Sequence, residues 1–554
     1  MAAAPPPPDF ARERYYLHNF RQALSWIAER SADLLDAREQ AFVRDFAALP
    51  EPSSALLVRL VMRRGPLFRA SRLRYDEIGC PLAAAEPLLA LGWLIRDPAL
   101  TLEQVFALHT RAELARGFAA HGSGAGLRKP DWCLALQGQF DAPRPYSAWP
   151  GGQYDTLFEL AAAPLCERLR LIFFGNLHQE WSEFVLADLG IFRYESVALA
   201  PSSRAFRDRQ DVDDCLALHA CRQAVDGETP AADLIAQALQ VRSGNDWLRA
   251  RQAKILFRIG ERCERHGDWD GALAAYQHSS HPGARHRRLR VLERSGRHAD
   301  AIALAEQASA APESEAEQQK LARMLPRLRR ALGQAASRRR AAPAIREQTL
   351  WLPAPAPGIR VEAAAREHLH SEAAPTVYVE NALINSLFGL LCWDAVFAPL
   401  PGAFFHPFQR GPADLNEPGF ALRRQALFAS CLAQLDDGRY ADTIRRRYDD
   451  KQGLQSPFVA WGLLTPALLD LALGSIPAAH LRRYFERLLA DPRGNRNGLP
   501  DLIRFDPARA RYELIEIKGP GDRLQDNQIR WLHYCAEHGI EASVCHVRWL
   551  AEAA

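Results

Sequence analysis

Asp501, Glu516 and Lys518 are the residues whose types and spacing could do chemistry together. Asp501 follows Pro500, and fourteen residues separate it from Glu516-Ile517-Lys518. Leu502, Ile503 and Phe505 form a short apolar run. Asp506-Pro507-Ala508-Arg509 is a turn signal with proline at the second turn position. From Tyr512 onward the residues alternate, with Tyr512, Leu514, Glu516 and Lys518 on one face and Glu513, Ile515 and Ile517 on the other. Two strands joined by that turn bring Asp501 next to Glu516 and Lys518. Two carboxylates so placed hold a hard divalent cation such as Mg²⁺, which prefers oxygen ligands. Such an ion polarises a phosphoryl oxygen and acidifies a bound water. A lysine on the same strand face orients that water or neutralises developing charge. A surface hairpin with solvated charges has the same bare pattern, so the flanking residues decide between the two.

The spacing is the PD-(D/E)xK nuclease pattern, and the flanks extend it. The run EIKGPGDRLQDNQIRWLHY, beginning at Glu516, resembles the signature of the VRR-NUC family: Glu-x-Lys, then Gly-Pro-x-Asp-Arg-Leu, then a helix carrying Gln528 and Trp531. A second block, VENALINSLFGLLCWDAVF at residues 379–397, is similar to the Fanconi-associated nuclease branch. In that branch a glutamate stands eight residues before an aromatic-Gly-Leu-Leu run, here Glu380 before Phe388-Gly389-Leu390-Leu391.

The resemblance implies a metal site of Glu380, Asp501, Glu516 and the main-chain carbonyl of Ile517, holding one or two Mg²⁺ or Mn²⁺. Lys518 would position or activate water. Gln528 would orient Lys518, the phosphate or a water, or else pack. The implied substrate is branched DNA with a 5′ flap, cut by endonuclease and 5′-to-3′ exonuclease action in repair of interstrand crosslinks. DNA contacts are implied at Tyr15, Arg72 and Tyr75. Some relatives carry a glutamate in an insertion near the metal, where this chain has Phe428. Arg523 is available to hold a phosphate or to pair with Asp522. Trp531, Cys545 and His546 read as structural.

At 554 residues the chain has room for about three or four domains of ~150 residues each. Its net charge of +3 does not by itself mark a nucleic-acid binder, but the arginines are clustered. None of the ten cysteines forms Cys-x-x-Cys, and no Cys/His set has zinc-finger spacing. A ubiquitin-binding zinc finger, and with it ubiquitin binding, is therefore not expected. The cysteines fit a reducing compartment. The N-terminus lacks an apolar signal core, and no run of about 20 apolar residues suggests a membrane span. A bacterial cytoplasmic setting at the nucleoid, with no membrane partner and no small-molecule cofactor, is the expectation.

The elements that must position these residues read as mostly helical. Residues 1–9 are a proline-rich disordered tail. Residues 10–145 suit a DNA-binding domain: SSALLVRLVMRRG opens a serine-capped helix, and LFRASRLRYDEI, PLAAAEPLLAL and Gly-Trp-Leu-Ile complete a winged helix. Residues 99–145 within it suit a SAP-like helix pair with a basic tip at Arg128-Lys129. From 157 to 335 the pattern is helix after helix, and 150–340 is the expected extent of a TPR-like domain. GDWDGALAAY from Gly267 and GRHADAIALA from Gly296 are its visible repeat. Arg285, Arg287, Arg288, Arg290, Arg327, Arg329 and Arg330 suggest a phosphate track along that array. Arg338-Arg339-Arg340 leads into a linker at 341–359. Residues 360–554 form an α/β nuclease domain, in which Glu380 begins a helix and about 399–495 is a helical insertion.

Two other classes fit parts of this pattern. One is a non-catalytic scaffold that binds branched DNA and carries a relic nuclease domain. The other is a PD-(D/E)xK junction resolvase. The intact Glu380, Asp501, Glu516 and Lys518 argue against the first; the long helical N-terminal half and the insertion argue against the second.

Overall fold

The computed structural model describes residues 15–122, 124–181, 192–334 and 344–550. The expected tail at 1–9 and the arginines at 338–340 lie outside the described residues. The chain forms two compact units, one of residues up to Phe192 with Phe206–Val212, the other of Arg193–Ala205 with the chain from Asp213 onward.

In the first unit, helix α1 (Glu51–Val61) buries Leu56, Leu57 and Leu60. It starts at Pro50, not at the serines, which lie within its first turns; Ser54 turns its hydroxyl back to the Pro50 and Glu51 carbonyls. Strand β1 (Leu67–Arg69), helix α2 (Pro81–Ala90) and strand β2 (Leu94–Arg96) follow. The winged-helix sheet is completed from further along the chain. Strand β3 (Leu157–Leu160) lies between β1 and β2, antiparallel to both, with Phe158 opposite Phe68 and Arg96. The sequence reading placed residue 157 at the start of a helical region. Four apolar-rich residues are too few for periodicity to separate strand from helix. Residues 99–149 are therefore inserted into this sheet. Their two short helices, Leu102–Leu108 and Arg111–Gly117, each open on a threonine capping box. Of the expected basic tip, Lys129 donates to the His109 carbonyl at 2.7 Å.

The second unit opens on a helical array. Helix α3 (Asp246–His266) ends at Gly267 with φ +74°, the left-handed cap that glycine adopts most easily. Helices α4 (Trp269–Gln277), α5 (Ala284–Arg294), α6 (His298–Ala310) and α7 (Glu315–Ala331) follow as packed neighbours.

The expected arginine track is mostly internal pairing. Arg285 meets Glu317 at 2.5 Å, Arg287 meets Glu261 at 2.8 Å, Arg327 meets Glu293 at 3.1 Å and Arg329 meets Glu306 at 3.1 Å. Partners 23 to 34 residues away in sequence cancel what looks like a run of free charge.

The nuclease sheet has five strands: β4 (Arg346–Leu352), β5 (Thr376–Tyr378), β6 (Leu502–Asp506), β7 (Arg511–Lys518) and β8 (Ala542–Trp549). Their order is β4-β8-β7-β6-β5, with β8 parallel to both β4 and β7 and the other pairs antiparallel. Residues 346–352 were expected in a linker. The proline-rich stretch after them suggested one, yet Arg346–Leu352 forms the sheet's edge.

β7 is buried on both faces. Tyr512 and Leu514 join the core under helix α9 (Leu383–Leu391), while Ile515 and Ile517 pack with Ala365 of helix α8 (Val361–Leu369). The helices of the insertion, including α10 (Ala478–Ala490), share the first of these cores. Phe428 is buried there against Phe388, their rings 5.9 Å apart, so at this position the chain has packing in place of a ligand. Helix α11 (Asp526–Glu537) connects β7 to β8 and buries Trp531, whose indole donates to the Asn495 carbonyl at 3.2 Å.

Candidate active site

The β6–β7 turn fixes the register that brings the carboxylates together. Leu502 pairs with Ile515 and Ile503 with Leu514, so continuing the ladder by one residue sets Asp501 opposite Glu516. The Ile517 amide donates to Asp501 Oδ2 at 2.8 Å, and the Asp501 carbonyl accepts from the Val379 amide at 2.8 Å. Asp501 is thus tied to both β7 and the segment leading to α9.

Asp501 is 7 % exposed, Glu516 1 % and Lys518 8 %. Three ionisable groups this deep, so close together, need mutual support or a ligand. Lys518 Nζ lies 2.8 Å from Glu516 Oε1. Gln528 connects the two: its Nε2 donates to Glu516 Oε1 at 2.6 Å and its Oε1 accepts from Lys518 at 3.1 Å. The same Oε1 accepts from the Gln525 amide at 2.8 Å, the capping box that starts α11. Helix start and site geometry therefore share one side chain. Gly519-Pro520-Gly521-Asp522 makes the turn between β7 and α11. Asp522 accepts from the Gly519 amide at 3.0 Å, which leaves Arg523 exposed and without a bond to Asp522.

Burial pushes the Glu516 carboxyl up to about 7, aided by the charge of Asp501 and opposed by Lys518. Burial likewise raises Asp501 to about 6, with the Ile517 amide pulling the other way and Glu380 adding to the rise. Glu516 Oε2 is buried with no hydrogen-bond partner. A buried carboxylate oxygen left unpartnered beside a second carboxylate is the donor set a hard divalent cation completes.

Glu380 stands in the turn before α9 and does not begin the helix itself. Its carboxylate accepts from the Tyr378 hydroxyl and from Asn381 Nδ2 at 3.2 Å. Among the described residues no three His, Cys, Asp or Glu side chains are drawn together as a finished cage. Asp501 and Glu516 form the inner pair, and Glu380 is held by its own neighbours.

Those neighbours were missed in the sequence. Asn381 has φ +53° and accepts from the Leu499 amide at 3.0 Å through its side-chain oxygen, joining the Glu380 turn to the loop that carries Asp501. The signal available was an asparagine next to the acidic residue just ahead of an apolar helix, since asparagine tolerates the left-handed region. Gly498 was also missed. It has φ +92°, and a Cβ there would sit 2.8 Å from the Asn527 side chain, so the loop passes hard against the first turn of α11.

His546 Nε2 donates to the Glu347 carboxylate of the neighbouring strand at 3.2 Å, and Cys545 is buried.

Three family models match the chain: the FAN1 HTH domain over residues 14–95, the Fanconi anemia-associated nuclease SAP domain over 99–149 and the VRR-NUC domain over 435–549. A Fanconi-associated nuclease 1 homolog of Pseudomonas aeruginosa is 55 % identical over 535 residues, covering 97 % of this chain and 96 % of that one. The chain belongs to the Fanconi-associated nuclease family. The homolog of Arabidopsis thaliana is 25 % identical over 599 residues, covering 97 % of this chain and 67 % of the plant protein. A crystal structure of paFAN1 bound to 2-nt 5′-flap DNA with a gap aligns over 98 % of this chain and 100 % of its own, with 54 % identity and a TM-score of 0.91. The chain is thus a structure-specific DNA nuclease that requires a divalent metal. No described helix is long and apolar enough to cross a membrane.

The three residues expected at DNA lie in the first unit. Tyr15 begins the helix Tyr15–Ser31 and is exposed. Arg72 pairs with Glu113 at 3.1 Å while its side chain stays 57 % exposed. The Tyr75 hydroxyl accepts from Arg63 at 3.0 Å. The first two leave solvent-facing surface for a backbone contact; Tyr75 is half-buried.

Proposed function

We propose that this nuclease hydrolyses branched DNA bearing a 5′ flap, as an endonuclease and 5′-to-3′ exonuclease, with Asp501, Glu516, Glu380 and the Ile517 carbonyl holding Mg²⁺ or Mn²⁺. The observation that carries the reading is the unpartnered Glu516 Oε2, buried beside Asp501, with Lys518 Nζ 2.8 Å from the carboxylate's other oxygen. The complex of paFAN1 with 5′-flap DNA supports the substrate.

Burial raises both carboxyls, so a cation bound between Asp501 and Glu516 would favour their ionised forms. The bound ion supplies Lewis acidity to a phosphoryl oxygen and a water of lowered pKa. Lys518 orients the attacking water or neutralises the charge on the phosphoryl oxygens as the water oxygen bonds to phosphorus and the bond to the leaving sugar oxygen breaks. Gln528 keeps Lys518 and Glu516 in register from the start of α11. Glu380, held by Tyr378 and Asn381 beside the pair, would add a third carboxylate to the oxygen set. Tyr15, Arg72 and Tyr75 contact the DNA backbone in the region from residue 10 to 145. Interstrand crosslink repair is the process such cutting serves, at the nucleoid of a bacterial cytoplasm.

The test is cleavage of end-labelled 5′-flap, duplex and four-way-junction DNA with Mn²⁺ or Mg²⁺, comparing the wild type with Asp501→Ala. Flap-selective cutting that the substitution abolishes is expected. Preference for the four-way junction would overturn the substrate, and undiminished cutting by Asp501→Ala would overturn the site.

A further inference from the structure

Beside the Glu380 turn lies a cavity of about 340 Å³ lined by Asn381, Asn385, Arg410, Phe458, Arg496 and Asn497, among others. It adjoins the metal site through the chain itself. Asn381 follows Glu380 and holds its carboxylate, and Arg496 and Asn497 lead into Leu499-Pro500-Asp501.

No carboxylate lines this cavity. Arg496 donates to the carbonyls of Pro492 at 2.8 Å and Pro457 at 3.4 Å and to Asn416 Oδ1 at 2.9 Å, and its guanidinium lies 5.4 Å from the Phe458 ring centre. Arg410 donates through Nε to the Ser456 carbonyl at 2.9 Å and is otherwise exposed. Both guanidiniums are therefore anchored, but on neutral acceptors. Two fixed cations repel each other across a cavity unless an anion enters. Burial first, and the charge of Arg410 after it, lower the pKa of Arg496, which agrees with this.

A second observation is independent of the arginines. Asn385 is 5 % exposed and uses its amide hydrogens on the Asn381 and Arg496 carbonyls, at 2.5 and 2.9 Å. Its Oδ1 is buried without a partner. The cavity wall thus holds one buried polar atom whose hydrogen-bonding capacity no protein group meets. The start of α9, nine residues long, also borders the cavity and favours negative charge.

We infer that this cavity is a subsite for one nucleotide of the DNA strand being cut, with the phosphate next to the scissile one held between Arg410 and Arg496. The inference rests on the metal-site reading above. Arg410 is the residue to probe, because it is exposed and its loss threatens folding least.

Cleavage of 5′-flap DNA by Arg410→Ala is expected to show KM raised about tenfold, kcat within about threefold of wild type, and the salt dependence of kcat/KM shallower by about one unit of slope. Arg410→Lys should recover part of the KM loss, since one charge remains without the planar fork. The decisive arm uses flap strands carrying a single neutral methylphosphonate, moved one linkage at a time. One position adjacent to the cut should weaken wild-type cleavage about tenfold and cost Arg410→Ala nothing more. Losses that add at every position, or an unchanged KM in Arg410→Ala, would overturn the subsite. Asp501→Asn serves as the reference: if it is dead while Arg410→Ala behaves as wild type, only the subsite falls. If Asp501→Asn still cuts, the site reading falls and the subsite with it.

Discussion

In the helical array, Arg285, Arg287, Arg327 and Arg329 meet carboxylates at 2.5 to 3.1 Å. Beside the Glu380 turn, Arg410 and Arg496 meet only carbonyl and amide oxygens. Both groups of arginines belong to the same unit, and both look basic in the sequence. A guanidinium already paired with a carboxylate has little charge left for a phosphate, and drawing it away would leave a carboxylate stranded. A guanidinium anchored on neutral acceptors keeps its orientation and its full charge. Within this unit, an arginine available to a phosphate is thus marked by the absence of an acid partner in the folded state, more than by density along the chain. The same contrast holds at the metal site, where Lys518 has a carboxylate partner yet Glu516 keeps one oxygen open.

The largest effect is expected at the charged groups of the site. Glu516→Gln and Lys518→Ala should each lower kcat on 5′-flap DNA by on the order of 10³-fold or more while leaving DNA affinity within a fewfold, because each removes a group engaged at the reacting phosphate. Retention of more than a tenth of wild-type kcat would rule that role out. Gln528→Ala is expected to cost less, about 10- to 100-fold in kcat with little change in KM, because it positions Lys518 and Glu516 without touching the phosphate.

The array should respond in stability and not in catalysis. Arg287→Ala leaves Glu264 and Glu261 short of a partner, and Glu264 is buried under the Tyr276 hydroxyl. A loss of about 1–3 kcal/mol in denaturant unfolding is expected, with KM for flap DNA unchanged. A tenfold rise in KM there would restore the phosphate track and erase the distinction between the two sets of arginines.

A stability profile sharpens the account of the site itself. Glu516 is raised to about 7 from an ordinary 4.5. Its protonated form is favoured in the folded state, so its contribution is full below about 4.5 and is lost as pH rises through 7. In the metal-free protein, Glu516→Gln should therefore be stabilising at pH 8 by on the order of a few kcal/mol, and nearly neutral near pH 4.5. The melting temperature in EDTA at the two pH values checks this. A variant equally stable with wild type at pH 8 would mean that the buried carboxylate carries no penalty. The smallest effect belongs to exposed pairs such as Arg445 with Asp470, where alanine should shift stability by less than about 1 kcal/mol.

The catalytic hairpin was legible because its information is local. A turn signal sets the register, the register sets Asp501 against Glu516, and the alternation puts Lys518 beside them. That the stretch between α9 and the hairpin holds helices was legible for a similar reason, since about a hundred residues with helical periodicity cannot be a loop. What escaped the sequence depends on partners far along the chain. Leu157–Leu160 is a strand only because strands at 67–69 and 94–96 flank it. Arg346–Leu352 is the sheet edge only because Ala542–Trp549 lies beside it. Asn381 gains its meaning from Leu499, more than a hundred residues away. The alternation of residues 512–518 does not separate a buried face from a solvent face, because a central strand covered on both sides buries both alternating sets of residues.

The most direct measurement is a calorimetric titration of Mn²⁺ into the DNA-free protein, wild type against Asp501→Asn. Wild type should bind the ion and Asp501→Asn should lose that binding by at least about tenfold, because one of two inner carboxylates has gone. Equal Mn²⁺ affinity in the two proteins would contradict the assignment of Asp501 and Glu516 as the metal site.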